Sequence, residues 1–167
     1  GALRKVLGTH VEQAGSYVDA ERVRFDFSHY TAMTQDELCR VEQLVNEAIL
    51  SGTTVQTVET DVETARSMGA MALFGEKYGA VVRVVKMGEY STELCGGTHL
   101  DNTAKAGLFK IITESSVASG VRRIEGTTGK NVLKLLEEKQ TLIANCAREL
   151  KASNPNEIDK KAASLQA

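Results

Sequence analysis

The hydrophobic pattern of the chain changes at Gly129, and this change limits the folds that it can adopt. Before Gly129, short segments such as residues 22–27 alternate polar and apolar residues, which predicts strands with one buried face. After it, apolar residues recur at three- and four-residue steps, as in a long amphipathic helix. Those residues are Val132, Leu135, Leu136, Leu142, Ile143, Cys146 and Leu150. The sequence therefore predicts an α+β domain over residues 1–128 and a helical extension over residues 129–167.

Local signals place further elements within residues 1–128. Thr34 and Glu37 form a capping-box pattern, which predicts a helix from there to about Leu50. Asp61 is a second N-cap candidate, for a short helix that ends near residue 69. We predict strands at residues 53–60, 80–85 and 89–94, and a hairpin of residues 109–117 with 121–127. In the extension, Pro155 is placed to begin another short helix.

The segment Cys95-Gly96-Gly97-Thr98-His99 is the strongest candidate for a functional site. Cysteine and histidine are the residues that bind zinc most readily, and this spacing occurs in metal sites. The two glycines disfavour a helix, so we expect a tight loop on which the thiol and the imidazole converge. Two ligands do not complete a tetrahedral site, however. A simple glycine turn between strands is the alternative interpretation.

Several segments together resemble a known family. They are residues 7–16 (LGTHVEQAGS), 24–29 (RFDFSH), 69–79 (GAMALFGEKYG), 93–99 (ELCGGTH) and 120–125 (GVRRIE). In this order they resemble the editing domain of bacterial-type alanyl-tRNA synthetases, over about residues 2–128. The remainder resembles the helical segment that follows that domain. The resemblance implies a mixed or antiparallel sheet packed with helices, a fold shared with free-standing alanyl-tRNA editing proteins and the threonyl-tRNA synthetase editing domain.

The resemblance also implies an activity, hydrolysis of serine or glycine from mischarged tRNA for alanine. Gln13 matches the family position that lines the pocket for the serine hydroxyl, although an exposed loop amide is the alternative. We expect Thr98 to offer a hydroxyl to the attacking water or the terminal ribose. No aminoacylation site is expected, and no phosphate loop for ATP is recognisable among the scattered glycines. The competing hypothesis is a non-catalytic tRNA-binding or interdomain module, in which Cys95 and His99 only close a turn.

The resemblance implies a zinc site of which this chain carries half. Cys95 and His99 match two family ligands, and the other two are a His-x-x-x-His pair expected just upstream of residue 2. The domain is therefore expected to be truncated at its N-terminus, to bind zinc weakly or not at all, and to hydrolyse its substrate poorly. His10 and His29 do not match ligand positions, and we expect them to form hydrogen bonds in or beside strands.

Charge restricts how the domain could contact RNA. Residues 1–128 contain 13 Lys and Arg against 17 Asp and Glu, whereas residues 129–167 contain 7 against 5. A net negative domain cannot bind RNA through a broad basic patch, so any contact must be local. Arg122 and Arg123 are the first candidates for binding tRNA, followed by Arg22 and Arg24; a solvated strand face is the alternative for all four.

The remaining expectations concern location and partners. No apolar run approaches the ~20 residues of a membrane span, and three cysteines suit a reducing compartment, so we expect a cytoplasmic protein. We expect Cys39 and Cys146 to be core residues, because both lie on or beside apolar helical faces. The apolar stripe of the extension needs a partner. Other domains of a parent enzyme are the first expectation, and self-association is the alternative.

Overall fold

The computed structural model describes residues 1–70 and 79–166, and it divides into two compact units, residues 1–129 and 130–167. The division lies one residue from the boundary that the sequence suggested. Residues 71–78, which belong to one of the family-like segments, lie outside the described residues. The helices are α1 (Ala2–Leu7), α2 (Gln35–Leu50), α3 (Val62–Ser67), α4 (Lys130–Glu149) and α5 (Ile158–Gln166). The strands are β1 (Gln13–Val18), β2 (Val23–Ser28), β3 (Val55–Thr60), β4 (Val82–Met87), β5 (Ser91–Leu94), β6 (Phe109–Ala118) and β7 (Val121–Thr128).

The described residues of the first unit form two antiparallel sheets rather than one. The larger sheet has the strand order β1-β2-β7-β6, and the smaller has the order β3-β4-β5. Helices α1 and α2 contribute to the core on one face of the larger sheet, where Phe27 is fully buried. Helix α3 packs against the smaller sheet, around Ala65 and Val84. The predicted α+β class, with antiparallel sheets packed with helices, is confirmed.

The predicted helix starts are confirmed in atomic detail. The Thr34 hydroxyl accepts a hydrogen bond from the Glu37 amide, and the Glu37 carboxylate accepts one from the Thr34 amide. Asp61 caps α3 by accepting from the Thr64 amide at 2.8 Å. These side chains satisfy amide groups that the first helical turn would otherwise leave without a partner. The β6–β7 hairpin is also confirmed, and Gly120 adopts a φ of 73° in its turn.

Three sequence-based expectations are wrong or incomplete. Strand β4 begins at Val82, and the side chain of Val81 is 66% exposed, although the apolar run suggested a buried strand from residue 80. Cys39 and Cys146 are exposed rather than in the core. Strand β1 was not predicted, because its sequence QAGSYV contains a glycine and no regular alternation. Hydrophobicity alone locates a strand only approximately, since the packing of its neighbours decides where burial begins.

The second unit consists of α4 and α5 joined by a short 3₁₀ turn, Pro155–Glu157. Helix α4 has the predicted amphipathic period, yet much of the stripe faces solvent, including Leu136, Leu142 and Ile143. The predicted break at Asn154 and Pro155 is present, with the Asn154 side chain capping the turn. None of the helices in the described residues combines the length and apolar character that crossing a membrane requires.

Acid should weaken the larger sheet through Asp26 on β2. Arg123 of β7 donates two hydrogen bonds to this buried carboxylate, at 2.7 and 2.8 Å, and these lower the pKa of Asp26 below its usual value although burial acts to raise it. A lowered pKa in the folded state stabilises the protein above the unfolded-state value of about 3.9, and this stability is lost as the pH falls through the folded-state value.

We therefore expect D26N to reduce the free energy of unfolding at neutral pH by about 1–3 kcal/mol. The variant should also lose part of the decline in stability between about pH 5 and pH 2. Urea unfolding across this range measures both effects. E138Q is a suitable control, since Glu138 is an exposed carboxylate on α4. An unchanged pH profile in D26N would contradict the prediction.

Candidate functional site

A cavity of about 650 Å³ lies in the first unit, lined by residues from both sheets and from α1 and α2. Its wall is mostly apolar and includes Phe25, Val41, Leu94 and Ile124. The polar groups that reach it include Gln13 and Ser16 of β1, Glu93 of β5, Cys95 and Tyr90. A largely apolar cavity with a few converging polar groups is the usual form of a small-ligand site.

An irregularity in β1 brings Gln13 and Ser16 to the same cavity. In a regular strand, residues three apart point to opposite faces. The pairing of β1 with β2 shifts register between Gln13 and Gly15, and both Gln13 and Ser16 then line the cavity. The Gln13 amide donates to the Ser16 hydroxyl at 3.2 Å. The result is an amide–hydroxyl pair on a wall that is mostly apolar.

The loop after β5 contains the predicted metal ligands. The Cys95 amide donates to the carbonyl of Arg83 on β4 at 3.0 Å, which extends the strand pairing to the start of the loop. Cys95 is half-buried at the cavity wall, whereas Thr98 and His99 are exposed. The His99 Nδ1 lies 3.0 Å from the Gly97 carbonyl oxygen. The loop is therefore tightly folded, as the two glycines predicted.

The structure brings together some of the predicted site residues but not all of them. Gln13 and Cys95 line one cavity, while the described residues that line it do not include Thr98 or His99. The described part of the chain contains no group of three or more His, Cys, Asp or Glu side chains arranged to hold a metal ion. Cys95 and His99 alone do not fit a closed zinc site, which takes four ligands. Their roles stay predictions.

His10 and His29 form hydrogen bonds, as the sequence analysis expected. The His10 Nε2 and the His29 Nδ1 are 2.9 Å apart, and the two rings stack with centroids 5.2 Å apart. The Thr31 hydroxyl lies 3.2 Å from the other nitrogen of His29. This pair links the segment before β1 to the end of β2 and leaves His29 with a partner at each ring nitrogen.

Arg122 and Arg123, the predicted tRNA contacts, are both engaged in ion pairs. Arg122 donates to Glu114 at 2.5 and 2.7 Å, and its side chain is only 13% exposed. Arg123 donates to Asp26 as described above. Each guanidinium thus has a carboxylate across its planar fork, the geometry of strong charge-assisted hydrogen bonds. A contact with RNA stays a prediction and would have to compete with these pairs.

Sequence reasoning missed several polar residues of the cavity, among them Ser16 and Tyr90. Ser16 became visible only with the irregular register of β1. Tyr90, in the turn between β4 and β5, lines the cavity, and burial raises the pKa of its phenol. The Lys5 ammonium lies 5.2 Å from the centre of the Tyr90 ring, which is a cation–π distance. Tyr90 could not be predicted as a cavity residue, because the neighbouring Met-Gly-Glu sequence gives no indication that the tyrosine is half-buried.

Comparison with known proteins defines the class of this domain. Residues 82–125 match the family described as Threonyl and Alanyl tRNA synthetase second additional domain. This match places residues 82–125 in this class of aminoacyl-tRNA synthetase domains. It is also 56% identical over 164 residues to the alanine–tRNA ligase of Pelotomaculum thermopropionicum, and 53% identical over 166 residues to that of Latilactobacillus sakei. The resemblance stated from the sequence is confirmed.

The matches cover nearly all of this chain but only part of each relative. The two alignments include 98% and 99% of the chain and 19% of each ligase. The alanine–tRNA ligase of Desulforamulus reducens is 56% identical over 151 residues, which is 90% of the chain and 17% of that enzyme. The chain thus spans about a fifth of the length of the relatives it matches, and it is homologous to one region of alanine–tRNA ligases.

Proposed function

We propose that this domain hydrolyses the ester bond of tRNA for alanine that has been charged with serine or glycine. One observation carries the proposal, namely the Gln13–Ser16 pair on the wall of an apolar cavity that also contains Cys95. Homology to alanine–tRNA ligases supplies the substrate class, because an enzyme that selects alanine must deal with these two competitors. The proposed partner is therefore tRNA for alanine, and the proposed location of the protein is the cytoplasm.

The need for a second, hydrolytic site follows from the sizes of the amino acids. A pocket that fits alanine cannot exclude glycine, which is smaller, and it rejects an added hydroxyl only weakly. A site that forms hydrogen bonds with the serine hydroxyl can discriminate in the opposite sense. Gln13 and Ser16 are exposed in this structure, so the discrimination requires the bound end of the tRNA to exclude water from them. Alanine would then leave these polar groups without a partner, at a cost of about 1–3 kcal/mol. The Gln13 amide and the Ser16 hydroxyl are suited to this task.

The chain's own residues suggest how the ester could be held. The aminoacyl side chain would enter the cavity beside Gln13, while the terminal ribose would lie towards the exposed loop that contains Thr98 and His99. We assign the Thr98 hydroxyl a hydrogen bond to the attacking water or to the ribose. Because the described donors do not fit a closed zinc site, we derive no step through a metal ion.

Replacing Gln13 by alanine should affect the two substrates differently. We expect kcat/KM for hydrolysis of seryl-tRNA to fall by about 10–100-fold, because a hydrogen bond to the serine hydroxyl is lost. Hydrolysis of glycyl-tRNA should change little, since glycine offers no hydroxyl. Release of the labelled amino acid from each tRNA, measured against a blank without protein, gives both values. Q43A is a matched control, because Gln43 is an exposed amide on α2.

The same assay tests the competing proposal of a non-catalytic module. The hydrogen bonds of the loop to Arg83 and within the loop are the observation that favours this second function, since they would also stabilise a purely structural turn. A folded protein that hydrolyses neither substrate above the blank would support the module and contradict the editing proposal. An equal loss for both substrates in Q13A would exclude the proposed role of Gln13.

The exposed apolar residues of α4 suggest a partner for the second unit. We propose that Leu136, Leu142 and Ile143 contact another domain of a longer ligase, because the relatives extend well beyond the region matched here. Self-association through the same helix is the alternative. Sedimentation of the chain over a range of concentrations distinguishes the two, since self-association alone depends on the concentration of this chain.

A further inference from the structure

The side chain of Arg83 binds the backbone of the Cys95–His99 loop at two points. Its Nη1 donates to the carbonyl oxygen of Cys95 at 3.2 Å and also to the carbonyl oxygen of Gly97. Arg83 lies on β4, opposite the end of β5, where its own carbonyl accepts from the Cys95 amide. The register of β4 with β5 thus places the Arg83 guanidinium beside the loop. Its hydrogen bonds connect the smaller sheet to the loop backbone.

The conformation of the loop requires a hydrogen-bond donor or a cation at the position of the Arg83 guanidinium. The Cys95 and Gly97 carbonyl oxygens approach one donor atom, and two carbonyl dipoles directed at one point repel each other unless a cation or donor lies between them. The Nη1 of arginine carries two hydrogens, one for each carbonyl, on a planar group that stays charged at all relevant pH. A lysine ammonium on a flexible stem would supply the charge without the fixed geometry.

The Gly97 carbonyl connects Arg83 to His99. This oxygen also lies 3.0 Å from the His99 Nδ1, and a carbonyl oxygen can only accept a hydrogen bond. A hydrogen bond between these two atoms therefore requires a hydrogen on Nδ1. In this tautomer the neutral His99 ring carries no hydrogen on Nε2. The tautomer of His99 is thus set by a carbonyl that Arg83 itself holds.

We propose that Arg83 is a positioning residue of this site. By binding the Gly97 carbonyl oxygen, Arg83 fixes the conformation of the loop. The same carbonyl then keeps neutral His99 in the tautomer that is protonated on Nδ1 and unprotonated on Nε2. Groups that fix the orientation of a metal-ligating histidine, the role predicted for His99, commonly change metal affinity or activity by about 10–100-fold when they are removed. The effect on hydrolysis rests on the proposed editing function, whereas the effect on the tautomer does not.

The tautomer can be measured directly by ¹⁵N NMR of the imidazole nitrogens, at about pH 8, where an ordinary imidazole is neutral. The chain has three histidines, so the His99 signals are identified by their loss in H99Q. We expect a protonated Nδ1 and an unprotonated Nε2 in the native protein. In R83M, which keeps the apolar stem but removes the donors, both nitrogens should move towards the average of the two tautomers. R83Q is measured as a second variant, so that the test can still be carried out if R83M does not fold.

Lys86 provides the matched control, because it is a cation on the same strand whose ion pair, with Glu89, involves a fully exposed carboxylate. K86M should leave the His99 signals unchanged. A native protein with Nε2 protonated would overturn the proposal, and so would folded R83M or R83Q with native His99 signals. R83K should recover the native signals only in part.

Hydrolysis of seryl-tRNA gives a second, independent measurement. We expect R83M to lower kcat by about 10–100-fold with little change in KM, and added guanidinium ion to restore part of the loss. Guanidinium should not change the rate of K86M. If the native protein does not hydrolyse seryl-tRNA, the editing function fails, while the NMR result still decides the role of Arg83. If R83M hydrolyses normally while the native protein is active, the positioning role is wrong.

Discussion

Replacing Glu114 by alanine should destabilise the protein by about 3 kcal/mol or more. The carboxylate is only 7% exposed, and it accepts both hydrogen bonds of the Arg122 fork. Its removal would leave a guanidinium in a poorly solvated position without its counter-charge, which costs far more than the net value of the pair. Urea unfolding of E114A measures the loss.

A double variant distinguishes the loss of the whole ion pair from the cost of leaving Arg122 without its counter-charge. In E114L/R122M both charges are replaced by apolar side chains of similar size, and such exchanges are often close to neutral. We therefore expect the double variant to be more stable than E114A. It also tests Arg122 as a tRNA contact in a folded protein: unchanged affinity for tRNA would assign Arg122 to the fold alone. A stability of E114A equal to that of the native protein would contradict the whole interpretation.

Zinc should bind this chain only weakly, far below the affinity of a structural site. The Cys95–His99 loop supplies one thiolate and one imidazole, and the described residues offer no larger cluster of metal ligands. Waters would have to complete the coordination, and they add no chelate geometry. Elemental analysis of protein dialysed against zinc, followed by titration against a competing chelator, measures the stoichiometry and the affinity.

C95S/H99Q is the control for this measurement, since any residual binding in that variant must come from other groups. We expect the native chain and the variant to differ by a weak, sub-stoichiometric component alone. One zinc per chain at submicromolar affinity, lost in C95S/H99Q, would contradict the prediction. It would mean that groups outside the loop complete the site.

The elements that the sequence predicted best are those with local causes. Thr34 and Glu37 are three residues apart, so their reciprocal hydrogen bonds depend on one helical turn and on nothing more distant. The β6–β7 hairpin likewise depends on a short turn with a glycine at positive φ. The interaction that sets each of these boundaries is contained within a few residues, and the pattern of residues is therefore sufficient to find it.

The features that escaped prediction depend on distant parts of the chain. The partner of Arg123 is Asp26, 97 residues away, and no pattern in either segment indicates that they meet. Burial behaves in the same way: the apolar run of residues 80–85 looks uniform, yet Val81 is 66% exposed and Val82 is buried. The exposure of Cys39 shows that an apolar residue type beside a helical stripe does not establish a position in the core.

The candidate site shows the same division. Cys95 and Gln13 could be named from motifs, and the structure places both on one cavity. Ser16 could not, because only the irregular pairing of β1 brings it there. Arg83 lies twelve residues before Cys95, and its role depends on the register of β4 with β5. Motifs identify the groups that could do chemistry, while the groups that hold them are defined by strand pairing.

The presence of two sheets has a consequence for how such a domain can diversify. Gln13 and Ser16, which would recognise the amino acid, lie on the larger sheet, whereas Cys95 and Arg83 belong to the smaller one and its loop. No ladder of backbone hydrogen bonds joins the two sheets in the described residues. Residue changes on β1 can therefore alter which side chain is accepted without disturbing the register that supports the loop. Under the proposed editing function, recognition and hydrolysis would accordingly evolve as separate parts of one cavity.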